Sequence, residues 1–365
     1  MPGAQKKALE LERVRRILKF LQRLPQARSG TSNSKPHQNH RFSSAVFEFE
    51  IPEVGSRRND ELKFCGAQMS GEVAEAMGKR FTTRYPGITV TAIRTTGQVA
   101  YERLMQELKN QTPQCDVFSS TDIAHYPALK ARGALAHYEP VNAGALAAPF
   151  HGLGEDGYYY PAIASLQGMV YRNDRVIGVS IPRRLTDLLD PKWKGQIATG
   201  HPAFSGYFGQ FVVAVRKLYG WEFFEKLAKN NPRIGRSAAD PITLLNANEC
   251  MVGLSAIAVA LQSAAQGNPI GFIYPEDGTL LTVGPSAVLA QAPHPNAGRL
   301  FLEWMLSMEF ADLCAAQHMV PVRADAPPMA GGKPLSEINV LTLSTTEIAK
   351  GIPEVVEQWR DTFGN

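Results

Sequence analysis

Cysteine is scarce in this chain, with four among 365 residues, at Cys65, Cys115, Cys250 and Cys314. They lack the close spacing of metal knuckles and dithiol redox motifs, which excludes both. A chain this long buries enough apolar surface without staples, so no disulfide framework is expected and all four read as small buried apolar residues. Long apolar runs are also absent, and no segment reads as a membrane span. Strong charge of one sign is missing too: the net charge is +4, and much of the basic excess sits before residue 60 in KK, RVRR and SRR clusters. The body is near neutral, and nothing in it asks for nucleic acid. No GxxxxGK[ST] occurs and no GxGxxG stands at a strand-to-helix junction, which removes the simplest nucleotide sites. His125, His137, His151, His201, His294 and His318 are isolated from one another, with no HExxH pair. Ser205 lies in AFSGY, without the first glycine of the G-x-S-x-G nucleophile elbow. No catalytic residue, metal ligand or cofactor is assigned.

What is present fits two α/β units behind an unusual start. The length exceeds one ordinary core. Residues 5–24 place Leu11, Val14, Leu18 and Leu21 at helical spacing on a basic amphipathic helix, and residues 27–44 are polar and linker-like. The helix lacks the apolar core and small-residue cleavage site of a secretory signal, so residues 1–60 are read as an atypical extension.

From residue 61 strands and helices alternate. LKFCG (62–66) leads to a helix with Val73, Met77 and Phe81 on one face. ITVTAIRT (88–95) leads to a helix over 97–110 with Val99, Leu104 and Leu108 on one side, and CDVFSS (115–120) leads to a helix through HYPALKARG. This order predicts a parallel sheet covered on both faces. Ligands of such sheets lie outside the strands' carboxyl ends, which selects Gln68, Thr96, Gln98, Ser120, Thr121 and Asp122. Helix capping is the competing reading for each of them. If the first and third strands are neighbours, Cys65 stands near the exit of one and Cys115 at the entrance of the other. A rise of ~3.3 Å per residue then holds their α-carbons too far apart for a bridge.

A second α/β series follows residues 158–174. It contains QIATG, the turn GHPAFSGYFG (200–209), a long helix, the junction Arg236-Ser237, a buried strand running into a helix at MVGLSAIAVALQSAAQG, and an apparent strand pair over 279–291. Two amphipathic stretches and a helical tail close the chain. GHPAFSGYFG admits two readings: Ser205 N-caps the helix that follows and glycine lets the turn close, or uncovered N–H groups at the helix start hold an anionic or strongly polar ligand. His201 beside it reads as a hydrogen-bonding or structural residue.

With these segments in order, the chain resembles the substrate-binding proteins of bacterial ABC importers, in the large solute-binding family that includes ferric-iron binders. The resemblance rests on TTGQVAYERLMQE with CDVFSSTD, LTDLLDPKWKGQIATGHPAFSGY, KLYGWEFFEKLAKNNPRI, IYPEDGTLLTVGPSAVLAQAPHPNAGRLFLEWMLS and VPVRADAPP, and spans about residues 61–330. It implies a two-lobed type II periplasmic-binding-protein fold, each lobe a mainly parallel sheet flanked by helices, with two crossover hinges and ligand trapped between the lobes. The first lobe would hold residues 61–165 plus 281–365 and the second 166–280, with crossovers near 164–167 and 278–280. The implied partners are a small-molecule ligand and the permease of an ABC transporter; the implied location is the periplasm and the implied state a monomer.

Iron binders of the family hold ferric ion with two adjacent tyrosines in the second lobe. The matching stretch here, Met251 to Ala258, has none, and Tyr158-Tyr159-Tyr160 reads as aromatic packing at the hinge. The expected cleft lining is Gln68, Thr96, Gln98, Ser120, Thr121, Ser165, Ser205, Gly206, Tyr207, Ser237 and Ser255, neutral donors and helix starts that suit a carboxylate, phosphate ester or phosphonate. Arg236 could add a bidentate charge; Asp122 and Asp240 would favour an amine if they faced the cleft. Ferric-iron transport is the alternative within the family. A cytoplasmic sensor or a hydrolase on the same fold is the alternative outside it.

Overall fold

The computed structural model describes residues 60–66, 69–154 and 157–364. The basic helix and linker expected before residue 60, and Gln68, lie outside the described residues.

The first series begins with strand β1 (Asp60–Gly66). Helix α1 (Gly71–Arg84) starts where Ser70 Oγ accepts the Val73 N–H, and it buries Val73, Ala74, Met77 and Phe81, the face read from the sequence. Strand β2 (Ile88–Arg94) and helix α2 (Gly97–Lys109) follow. α2 buries Gly97, Ala100 and Leu104 and exposes Val99, against expectation. Five residues separate Val99 from Leu104, which rotates it about 140° off the buried face. Strand β3 (Val117–Ser119) and helix α3 (His125–Ala131) complete the series.

Strand β4 (Tyr160–Arg172) opens the second series. It continues with β5 (Ile197–Thr199), α4 (Gly206–Tyr219), α5 (Glu222–Ala228), β6 (Arg233–Ile234), α6 (Asp240–Asn246), β7 (Val252–Ala256), α7 (Ile257–Ala265) and β8 (Ile270–Ile273). The expected strand pair over 279–291 is one long strand, β9 (Thr279–Val288), because its apolar residues are buried without a break and no turn interrupts them. Helices α8 (Pro295–Met305) and α9 (Met308–Ala316), strand β10 (Val340–Leu341) and helix α10 (Thr345–Phe363) end the chain.

The ten strands of the described residues join in one sheet of order β2-β1-β3-β9-β4-β7-β5-β6, with β10 beside β9 and β8 beside β4. Within each series the pairing is mainly parallel, β1 with β2 and β3, and β5 with β6 and β7. The antiparallel pair β4 and β9 carries the chain between them, aligning Ser165 with Thr282 and Gln167 with Leu280. From Gln167 onward β4 also pairs with β7, and from Met169 with β8. Both expected crossovers therefore lie on strands bonded to each other.

α10 seats on α4 and α5. Its Trp359 is fully buried and meets Phe208 and Phe224 edge-on at 5.6 and 5.7 Å, while Arg216 and Lys217 pair with Glu354 and Glu347.

Cys65 and Cys115 form a disulfide with α-carbons 5.8 Å apart, which corrects the expectation of four free thiols. The spacing argument extended strand geometry back to Cys115, but β3 begins only at Val117 and the chain bends at Asp116. There Asp116 N–H donates to Lys63 O at 2.9 Å and Asp116 Oδ2 accepts the Lys63 N–H at 2.7 Å, turning Cys115 across β1. Cys250 and Cys314 are free and buried.

Candidate functional site

One wall of the site is the loop between β3 and α3. Ser120 Oγ stands 2.8 Å from His125 Nδ1 and accepts the Asp122 N–H at 3.1 Å, and the Ser120 N–H donates to the Tyr126 hydroxyl at 2.8 Å. His125 lies flat on Tyr101, ring centroids 4.0 Å apart, with Nε2 3.7 Å from Asp122 Oδ2. Burial lowers its pKa from the ordinary 6.5, against the opposing pull of Asp122 and Glu102. The wall thus presents a neutral imidazole, held in place by groups of its own loop and by α2. Beside it Thr121 is buried and its Oγ1 has no hydrogen-bond partner. Thr96, which precedes α2 without capping it through its side chain, also has an unpartnered buried Oγ1.

The facing wall is the exit of β5. Thr199 ends that strand fully buried with an unpartnered Oγ1. In the turn that follows, His201 Nδ1 accepts the Ala203 N–H at 3.0 Å and Ser205 Oγ accepts the Phe208 N–H at 3.3 Å, capping α4. Tyr207, in the first turn, has a buried hydroxyl with no partner, and burial pushes its pKa well above the usual phenol value.

The two walls touch at Thr121. A Cβ on Gly206 would stand 2.6 Å from the Thr121 carbonyl carbon and oxygen, and one on Gly97 would stand 2.7 Å from Thr121 Oγ1. Gln210 Nε2 donates to Thr121 O at 2.9 Å. Gly97, Ser120, Thr121, Gly206 and Gln210 thus form one connected patch. Thr96, Ser205 and Tyr207 adjoin it along the chain, and Thr199 ends the strand that feeds the turn before α4.

Other expected lining residues stand elsewhere or have their polar atoms committed. Gln98 points along the surface of α2 to Glu102, 2.9 Å away. Ser165 lies in the β4–β9 ribbon, where its O accepts from Thr282 Oγ1 at 3.0 Å and its Oγ from Gln167 Nε2 at 3.4 Å. Ser237 donates to Asp240 Oδ1 at 2.6 Å and Ser255 donates to Ala238 O at 2.6 Å. The carboxylates that could have drawn an amine are held by their own loops: Asp122 accepts the Ala124 N–H, and Asp240 accepts those of Arg236 and Ser237. Arg236 is exposed and lies over the Phe204 ring, 4.6 Å from its centroid.

Sequence reasoning missed Thr199 and Gln210. Gln210 carried a usable signal, since it is the one amide in the apolar run GYFGQFVVAV and falls one helical turn after Gly206. The tyrosine triplet is packing, as read: Tyr159 stacks on Tyr126 at 4.8 Å, Tyr158 meets His137 edge-on at 5.1 Å, and the Tyr160 hydroxyl accepts the Gly157 N–H. Among the described residues no group of three or more His, Cys, Asp or Glu side chains is placed to hold a metal ion. No helix among them is long and apolar enough to cross a membrane.

Two parallel α/β series joined by a pair of long antiparallel strands, with polar residues gathered at facing strand exits, define the two-lobed type II periplasmic-binding-protein fold. The chain belongs to the bacterial extracellular solute-binding protein family, whose model matches residues 112–339. An uncharacterised protein of Haemophilus influenzae is 22% identical over 263 residues, 70% of this chain and 75% of that protein. Among solved structures, the periplasmic binding protein AfuA of Actinobacillus pleuropneumoniae with bound fructose-6-phosphate superposes with a TM-score of 0.75 at 20% identity, covering 84% of this chain and 99% of that one. Iron-bound HitA of Pseudomonas aeruginosa gives 0.70 at 22% identity, with 83% and 99% covered. A periplasmic thiamin binding protein gives 0.72 at 20%, with 85% and 98% covered.

Proposed function

We propose that this protein is the solute receptor of an ABC importer and binds a small organic anion, a carboxylate, phosphate ester or phosphonate, between lobes formed by residues 61–165 plus 281–365 and residues 166–280. The single observation that carries the anion reading is the set of buried, unpartnered hydroxyls of Thr121, Thr199 and Tyr207, with Thr121 Oγ1 beside Gly97, the first residue of α2, and the Thr121 carbonyl beside Gly206, the first residue of α4. Buried polar groups in a finished structure are nearly always paired. Hydroxyl donors beside the positive end of a helix suit an oxyanion better than a cation. The nearby carboxylates of Asp122 and Asp240 already accept backbone N–H groups, which weakens an amine reading. Neighbours of this fold include one with bound fructose-6-phosphate, one with bound iron and a thiamin binding protein, so the fold alone does not choose among ligands. Ferric iron lacks its tyrosine pair here.

The proposed lining keeps Thr96, Ser120, Thr121, Ser205, Gly206 and Tyr207 of the expected set and adds Thr199. The α10 tail, counted with the first lobe by its place in the chain, packs on α4 and α5 of the second. The Cys65–Cys115 disulfide accords with an oxidising periplasmic location. The receptor acts as a monomer, without catalysis, and delivers its solute to a membrane permease.

The test is thermal unfolding of the full chain against sugar phosphates, phosphonates, dicarboxylates, polyamines, thiamin, and ferric iron with and without citrate. A specific ligand at a hundred times its Kd adds about 2.7 kcal/mol. Stabilisation by an oxyanion and not by ferric iron or an amine supports the reading; stabilisation by ferric iron or an amine alone overturns it.

A further inference from the structure

We infer that Gly206 and Gln210 form a latch on the Thr121 carbonyl that holds the two series together without help from solute. The inference rests on the two-lobed receptor reading and concerns how that same site is held shut.

Gly206 is the first residue of α4 and is absent from the glycines with positive φ. Its own helix therefore does not require glycine. The obstacle to a side chain is the other series: a Cβ would stand 2.6 Å from the carbon and oxygen of the Thr121 carbonyl and 2.7 Å from the Asp122 nitrogen. Those are backbone atoms, which cannot step aside as the end of a flexible side chain can. The glycine thus records the closed arrangement in the sequence.

Gln210 lies one turn further along the same face of α4. Its Nε2 donates to that same Thr121 oxygen at 2.9 Å, and its side chain is 2% exposed. Both groups converge on one carbonyl of the β3–α3 loop, and both contacts are made by protein atoms alone. The apparent affinity for a solute scales with the fraction of molecules already in the competent arrangement, so the latch sets how much of that fraction exists before any solute arrives.

The test measures the distance between the two series by electron–electron double resonance. Spin labels are placed at Arg132→Cys and Lys229→Cys, both exposed, on the full chain stripped of bound solute by a guanidinium wash with the disulfide kept oxidised. The starting protein is expected to show mainly the short distance. Gly206→Ala, which favours the helix locally, is expected to shift the population to the long distance with helix content unchanged by circular dichroism. Gln210→Met keeps the volume, removes the donor and is expected to lower the closed-to-open ratio about tenfold, the factor of one net hydrogen bond.

A stripped protein found only at the long distance, or variants with the distribution of the starting protein, would overturn the latch. If the distances respond as expected while the ligand panel stabilises only with iron or an amine, the anion reading falls and the latch stands. If an oxyanion stabilises while the variants leave the distances unchanged, the latch alone falls.

Discussion

Replacing Cys65 and Cys115 together by alanine opens a covalent loop that spans a sequence separation of 50 residues. The chain-entropy relation for a loop of this length assigns the bridge about 4 kcal/mol of stabilisation, acting on the unfolded chain. Native contacts change little, because both residues are buried in the core and alanine suits that surrounding. For a body of this size each kcal/mol shifts Tm by roughly 2 °C, so the double variant should melt about 8 °C lower. Guanidinium titration supplies the second readout: an unfolded chain freed of its loop exposes more surface, so the m-value should rise as the midpoint falls. Single variants at the buried free thiols Cys250 and Cys314 serve as controls, and breaking no loop they leave the m-value unchanged. A double variant melting within 2 °C of the parent, or one that loses stability with no change in m, would refute the argument that the bridge works by restraining the unfolded chain.

Two further outcomes follow from the site. Tyr207→Phe removes a buried hydroxyl that has no partner, so the solute-free protein should gain about 1 kcal/mol in denaturant titration while any stabilising solute from the panel loses part of its effect; a less stable solute-free variant would show that the hydroxyl is paired. His125 has a folded-state pKa lowered by burial below its ordinary 6.5, so the unfolded chain takes up this proton first. Its contribution to stability is full above about pH 6.5 and declines as pH falls below that value. Tm measured from pH 8 to pH 5 should show an acid-side slope that His125→Gln reduces; an unchanged slope would assign the titration to another group.

The helices were the legible part of the fold, because their periodicity survives burial. Val73, Met77 and Phe81 were read correctly on α1, and α2 failed only at Val99, where one apolar residue on an exposed face mimicked the stripe. β9 was misread as two strands, since a strand buried on both faces carries no alternation to mark its length. The disulfide was hidden for a different reason. It depends on the bend at Asp116, which is fixed by hydrogen bonds to Lys63 and not by local composition. For the candidate site, the strand-exit rule selects Ser120 and Thr121 because it depends on topology alone, and the helix start in GHPAFSGYFG adds Gly206 and Tyr207. The expected lining does not separate these from Ser237 and Ser255, whose hydroxyls are committed to Asp240 and to a backbone carbonyl through contacts that only the folded chain reveals.

The pairing of β9 with both β3 and β4 also fixes an order of events in time. Ser119 and Ser286, hydrogen-bonded across the β3–β9 contact, lie 167 residues apart. Every strand between them in the sequence can be synthesised before that pairing is possible. Within each series the strands pair over shorter separations, β1 with β2 and β3 and β5 with β6 and β7, whereas the pairings of β9 with β3 and β4 are long-range closures of the slow kind. The single sheet is therefore complete only once β9, late in the chain, has joined the strands of both series.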